Sequence, residues 1–358
     1  MKSVFSLIIA LLSSVILSAQ ERVTLLFVGD LMQHDAQIKA ARTSEGYDYA
    51  DCFKHVAAEI RKADVAVANL EVTLGGKPYR GYPAFSAPDE FAYVAKDAGF
   101  DVFLTANNHC LDRGKRGLER TIMVLDSLRM PFAGTYVNEE ARRKRYPLLI
   151  EKNGFRIVLL AYTYGTNGLT PSGANIVNYI GREQMKEDIL SARRMNPDVL
   201  IACMHWGLEY HSLPNASQKE LADWLIGQGV DHVIGSHPHV LQPMEVRPDA
   251  HTPAKHLVVY SLGNFISNMS KAKTDGGAMV KMELKKMGGI TRLVDCSYSL
   301  VWTSRPVLSQ NKNFVLYPAS FSSQSIRNEE LRPFRFFLDS SRTLFDKYNK
   351  NIKEYIFE

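Results

Sequence analysis

Short apolar runs that each break off in a polar cluster constrain the fold of this chain more than any other feature. The run 23–28 stops at Gly29-Asp30, and 65–68 stops at Asn69-Leu70-Glu71. The run 102–104 leads into Asn107-Asn108-His109, 199–204 stops at His205-Trp206-Gly207, and 230–234 stops at Gly235-Ser236-His237-Pro238-His239. These runs read as buried strands. Longer stretches with helical spacing lie between and around them, at 50–62, 91–97, 116–128, 182–194 and 218–227. Strands alternating with helices predict an α/β fold. The runs 146–150 and 156–162, joined at Asn153-Gly154, predict a hairpin. Those at 256–260, 278–284 and 293–302 predict antiparallel strands.

No linker rich in Pro, Gly or Ser divides the chain, and no internal repeat is visible. From Ser304 to Glu358 the strand–helix rhythm is lost. The expected division is a leader over 1–19, one α/β domain over 20–303, and an appended extension over 304–358 with a helix near 340–350. A content of 46% hydrophobic and 23% charged residues in 358 excludes a disordered, collagen-like or coiled-coil chain. A net charge of +5 is too small to predict a nucleic-acid partner. The one dense basic run, Arg142-Arg143-Lys144-Arg145, reads as a solvated loop, with attraction to phosphate or an anionic surface as the alternative.

Lys2, an apolar stretch over 4–17 and Leu17-Ser18-Ala19 before Gln20 form the three parts of a secretory signal. They predict export to the periplasm or cell surface. The stretch is shorter than the ~20 residues of a bilayer span, and an uncleaved anchor giving membrane contact is the alternative. Cys52, Cys110, Cys203 and Cys296 form no C-x-x-C pair, and export leaves room for one or two disulfides. Cys203, inside an apolar run, reads as a small buried hydrophobe.

In open α/β sheets the carboxyl ends of the strands converge on one rim, where ligands bind. Asp30, Glu71, Asn107, Asn108, His109, His205, His237 and His239 brought to one rim form a set of oxygen and imidazole donors. With no thiolate among them, the set suits one or two Mn, Fe or Zn ions. A two-metal arrangement suits in-line attack on phosphorus. Singly, each residue has a structural reading: an Asp caps a turn, an Asn takes a left-handed position, a His fills a hydrogen bond. Capping does not demand such residues at every strand end. In an extended chain, moreover, His237 and His239 face the same way.

The ordered motifs Gly29-Asp30-Leu31-Met32, Asn69-Leu70-Glu71, Asn107-Asn108-His109 with Asp112 and Gly114, His205-Trp206-Gly207-x-Glu209-Tyr210, Gly235-Ser236-His237-Pro238-His239-Val240 and Tyr260-Ser261-Leu262-Gly263-Asn264-Phe265 carry a resemblance. Over residues 22–285 they closely resemble the CapA family of capsule and poly-γ-glutamate synthesis proteins, which is similar to calcineurin-like metallophosphoesterases. The resemblance implies a four-layer α/β/β/α sandwich with metals at the strand rim. It makes Asp30 a carboxylate ligand of a first metal and puts Glu71 where the wider superfamily has a bridging Asp. Asn108 and His109 match the superfamily's Gly-Asn-His motif, His109 being its catalytic histidine. His205 matches a ligand of the second metal, and His237 and His239 match the terminal Gly-His-x-His pair.

Two departures stand out. The superfamily's Asp-x-His reads Asp30-Leu31-Met32, leaving the first site to be completed by water, His34 or Glu209. Glu in place of Asp at 71 lengthens the bridge by a methylene. Asp112 is expected to hold the tautomer of His109, with a helix cap before Gly114 as its alternative role.

Phosphate-cradling, dinucleotide, zinc-protease and serine-hydrolase motifs are absent, and Ser270-Lys271-Ala272-Lys273 lacks the companions of an S-x-x-K enzyme. The expected function is an exported metal-dependent hydrolase of phosphoesterase type in cell-surface polymer synthesis, acting on the polymer or a phosphorylated small substrate. The alternatives are a non-catalytic metal-binding component of an envelope synthase complex, and an amide-bond hydrolase or transferase acting on a poly-γ-glutamate-like polymer.

Overall fold

The computed structural model describes residues 21–249 and 251–357, and the expected leader lies outside them. Along the chain come β1 (Glu21–Leu31), β2 (Val65–Leu70), β3 (Val102–Leu104), β4 (Phe132–Ala133), β5 (Thr135–Tyr136), β6 (Leu148–Lys152), β7 (Phe155–Thr163) and β8 (Ile176–Val177). There follow β9 (Val199–His205), β10 (His232–Ser236), β11 (Leu241–Pro248), β12 (Lys255–Leu262), β13 (Asn264–Ile266), β14 (Gly276–Met287), β15 (Ile290–Ser304), β16 (Val315–Pro318) and β17 (Lys353–Glu354).

One sheet runs β16-β15-β14-β1-β2-β3-β4, with β13 beside β1 and β17 beside β15. The other runs β11-β12-β10-β9-β7-β6. In the first, β1 to β4 are parallel, and in the second β7, β9, β10 and β12 are. β1 packs against β10 and β12 across one continuous apolar core. This is why β2 and β9 are buried along their whole length and read as unbroken apolar runs. Helices Arg182–Arg194 and Ala216–Gly227 pack on the second sheet. On the first, Phe53 of the helix Ala50–Phe53 stacks on Phe265 of β13, and Tyr49, its N-cap, packs on Phe91 of the helix Asp89–Ala98. The layers are helix, sheet, sheet, helix, the four-layer sandwich that the motifs imply.

Gly29 is what turns Asp30 into the rim. The register of β1 against β2 shifts between Val28 and Asp30. A Cβ on Gly29 would lie 1.9 Å from the Gly263 carbonyl, so only glycine permits this approach. The same carbonyl accepts the Asp30 N–H at 3.0 Å.

The structure differs from the sequence reading in several places. The stretch 50–62 is two short helices, Ala50–Phe53 and Ala57–Ile60, because tight bonds such as Val56 N–H to Phe53 O interrupt the regular spacing. The interruption lays His55 against Tyr317 and Phe321. β11 escapes a sequence reading because it holds Pro243 and Pro248, and it is an edge strand, where proline is tolerated. The helix expected near 340–350 spans Asn328–Tyr348 with Pro333 inside it. It packs on β11 and β15, while β16 and β17 add to the first sheet, so residues 304–357 touch both sheets. All four cysteines are free, which corrects the allowance for disulfides. Cys52 lies in the helix Ala50–Phe53, Cys110 in the turn after β3 and Cys296 in β15, and Cys203 is buried within β9, as expected. The basic run is a helix, Glu139–Arg145, rather than a loop: Arg142 is buried against Asp188, and Arg145 pairs with Asp126. Among the described residues no helix is long and apolar enough to cross a membrane.

Candidate metal centre

The ends of β1, β2, β3, β9 and β10 meet, as their polar clusters suggested. At the middle stands Asn69, whose amide nitrogen donates to Asp30 Oδ1 at 2.7 Å and lies 3.4 Å from Glu71 Oε2 and 3.3 Å from His205 Nδ1. Asn107 fixes the turn after β3. It donates to the Leu70 carbonyl at 2.8 Å and to Asn69 Oδ1 at 3.3 Å, and accepts the His109 N–H at 3.2 Å. That turn sends Asn108 across the rim, its Oδ1 2.8 Å from His205 Nε2. His205 Nε2 is also 3.7 Å from Glu71 Oε1.

His237 and His239 follow β10 at φ of 101° and 58°. They are therefore not the extended residues of the sequence reading, since a left-handed loop delivers them. Left-handed conformations cost bulky residues energy and persist where the surroundings enforce them. His239 Nδ1 lies 3.0 Å from Asn264 Oδ1 and 3.3 Å from Asp30 Oδ2, with its Nε2 3.8 Å from Glu71 Oε1. The His237 ring packs 4.4 Å from Tyr164 and 4.8 Å from His205. The donors fall into two groups, Asp30 with Glu71 and His205, and Glu209 with His237 and His239. Within each group the ligand atoms lie within 4.8 Å of one another.

The electrostatics leave a place for a cation. Burial, then the neighbouring imidazoles, push His205 well below the usual histidine range and His237 down to about 3, so both offer neutral nitrogens. Burial also pulls on His239, but the adjacent Asp30 carboxylate outweighs it and raises that imidazole. Burial, then the charge of Asp30, lifts the Glu71 carboxyl well above its ordinary value. Three buried atoms, Asp30 Oδ2, Glu71 Oε1 and His237 Nδ1, have no hydrogen-bond partner. His239 Nδ1 stands 3.3 Å from Asp30 Oδ2 but makes its hydrogen bond to Asn264 Oδ1 at 3.0 Å. An unpaired buried polar atom costs about 1–3 kcal/mol, and three at one rim fit a divalent cation as their missing partner.

Beside this centre His109 Nδ1 lies 2.8 Å from Asp112 Oδ2, which also accepts the Phe85 N–H at 2.7 Å. Asp112 is not a cap: the helix Gly114–Ser127 begins after Arg113, with no side-chain cap. Phe85 packs edge-on against both His109 and His34. Of the side chains considered for completing the first site, Glu209 joins a ligand group, whereas His34 caps the helix Asp35–Ala41 and accepts the Asn268 N–H at 3.3 Å. Met32 is buried in the apolar core.

A family model described as bacterial capsule synthesis protein PGA_cap matches residues 24–269, more than half of the chain. The chain belongs to this family. It is 27% identical over 282 residues to the capsule biosynthesis protein CapA of Bacillus anthracis, a match covering 75% of this chain and 65% of that protein. It is 29% identical over 279 residues to the PGA biosynthesis protein CapA of Bacillus subtilis (strain 168), covering 73% and 68%. The chain thus spans about two thirds of the length of these relatives. Among solved structures it is similar to a calcineurin-like phosphoesterase from Bacillus subtilis, with a TM-score of 0.47 and 15% identity over 90% of this chain and 99% of that one.

All eight proposed site residues of this PGA_cap chain lie inside the matched stretch. Four further contributors were not assigned a role from sequence: Asn69, Asn264, Tyr164 and Asn167, the last 3.1 Å from Asn108 Nδ2. Signals existed for each. Asn69 is two residues before Glu71 on a strand end, and Asn264 closes a polar cluster after β12. Tyr164 and Asn167 follow β7, another parallel strand ending at the same rim.

Proposed function

We propose that this protein is an exported, divalent-metal-dependent phosphoesterase that acts at the cell envelope in making a capsule polymer. Three buried ligand atoms without a hydrogen-bond partner at one rim, beside a histidine held by a carboxylate, carry this reading. Asp30, Glu71, Asn108, His205, His237 and His239, with Glu209, are the residues that would hold the metal. When bound, the ion supplies Lewis-acid polarisation of a phosphoryl oxygen and neutralises developing charge.

The chain's own groups do the rest. A carboxylate only accepts, so Asp112 keeps a proton on His109 Nδ1, and Nε2 is the nitrogen left to give a proton to a leaving oxygen. Asn69 and Asn264 orient Asp30 and His239. The substrate class that suits these groups is a phosphate ester from the synthesis of the polymer. Membership of the PGA_cap family supports the pathway, and the leader-like segment over 1–19 supports export.

One observation favours a second reading, a metal-binding but non-catalytic component of a polymer synthase complex. Position 32, where the superfamily motif has a ligand histidine, is a core methionine. The two readings separate on turnover of an aryl phosphate with added Mn, before and after chelation. Metal-dependent turnover that falls about 10²–10⁴-fold in His109→Ala supports the enzyme. Bound metal without turnover supports the component.

A further inference from the structure

A cavity lies along the helix Asp35–Ala41, whose N-cap His34 shares the Phe85 ring with His109. It has a volume of about 450 Å³, and its walls combine the apolar Ala40, Val307 and Phe314 with four cations, Lys39, Arg42, Arg305 and Lys312. No acidic side chain lines it. Some arginines of the chain form close ion pairs, as Arg120 does with Asp89 and Arg142 with Asp188. Among the described residues, none of the cavity's four cations has a carboxylate partner, and the buried Arg305 Nε has no hydrogen-bond partner at all.

The cavity is joined to the centre by two elements. The helix Asp35–Ala41, which supplies Lys39 and Ala40, is capped by His34, and the Asn268 N–H that His34 accepts belongs to another residue of the cavity wall. Farther along the same loop, Lys271 sits 3.7 Å over the ring of Tyr210, which lies 6.3 Å from His239. The loop from Asn268 to Lys271 thus runs from the cavity wall to an aromatic ring beside the metal centre.

We propose that this cavity is a binding subsite for an acidic polymer whose carboxylates are spaced by short aliphatic links. The cations come from the helix Asp35–Ala41, the turn after it, the residue before the helix Pro306–Ser309 and the segment after that helix. Charges dispersed in this way around apolar walls match repeated anions on methylene spacers better than one compact phosphate, which gathers its donors at a point. The subsite rests on the proposed function for its purpose: it would hold the polymer strand while an attached phosphate ester reaches the metal.

The test is equilibrium binding of a fluorescein-labelled, γ-linked oligoglutamate to the full chain, followed by anisotropy. Arg42→Gln/Lys312→Gln, both at exposed positions, should weaken binding about tenfold, and added salt should weaken the wild type in the same direction. Lys285→Gln/Arg292→Gln, distant on β14 and β15, should bind as the wild type does. Equal binding by wild type and the cavity variant overturns the proposal. So does a wild type that ignores the oligomer yet binds vesicles of anionic lipid through the same residues. Aryl phosphate turnover by the wild type is scored separately. If it is absent while the oligomer binds through the cavity, the phosphoesterase reading falls and the subsite stands.

Discussion

Asn69 Nδ2 stands 2.7 Å from Asp30 Oδ1 and within 3.4 Å of Glu71, so one amide fixes both carboxylates of the rim. Asn69→Ala frees both to rotate and leaves their negative charges with less compensation. Residues that orient ligands typically contribute 10–100-fold to metal affinity, and a loss of about that size is expected. Competition against a fluorescent chelator measures it. An unchanged affinity would remove Asn69 from the site.

Asp112 and His109 give a different signature. Asp112→Asn keeps an oxygen to accept the Phe85 N–H but removes the carboxylate that keeps the proton on His109 Nδ1. Turnover should fall about 10-fold or more while metal content is unchanged. Loss of metal in this variant would make Asp112 part of the ligand framework instead.

How much of this was legible in the sequence depends on the kind of signal. Parallel strands buried on both faces leave unbroken apolar runs, so β1, β2, β3, β9 and β10 and their common rim could be read directly. β11 could not, because Pro243 and Pro248 argue against a strand until its edge position is known. Asp30, His205 and His239 carry their chemistry in their side chains and stood out. Asn69 did not, since its part lies in which neighbours its amide reaches across the sheet. His237 and His239 were found, but for a reason that the positive φ values replace.

Gly29 offers a test of how the fold sets the site. Gly29→Ala places a methyl against the Gly263 carbonyl, at a contact that neither backbone can relieve without moving Asp30. The expected cost is about 1–3 kcal/mol, read from the denaturation midpoint, together with weakened metal binding. A variant as stable as the wild type would show that β1 passes β13 with more room.

Stability should also depend on pH through a residue far from the metal centre. His232, at the start of β10, accepts the Leu257 N–H at Nδ1 and is lowered by burial to about 3. The fold therefore favours the neutral ring. Its contribution is fully present above the unfolded value of 6.5 and is lost as pH falls from there toward 3. The slope from this residue approaches about 1.4 kcal/mol per pH unit. His232→Asn keeps an acceptor for Leu257 and cannot titrate, so its stability should fall less steeply between pH 6.5 and 4. Parallel curves for variant and wild type would contradict the assignment.

The central claim, that the strand rim is a divalent-metal centre with His109 beside it rather than in it, is tested most directly by elemental analysis. The measurement is made on the wild type, His237→Ala and His109→Ala after loading with Mn and removal of free ion. The account predicts stoichiometric metal in the wild type and His109→Ala, and its loss in His237→Ala. A wild type that retains no metal, or a His109→Ala protein that loses it as readily as His237→Ala, would contradict it.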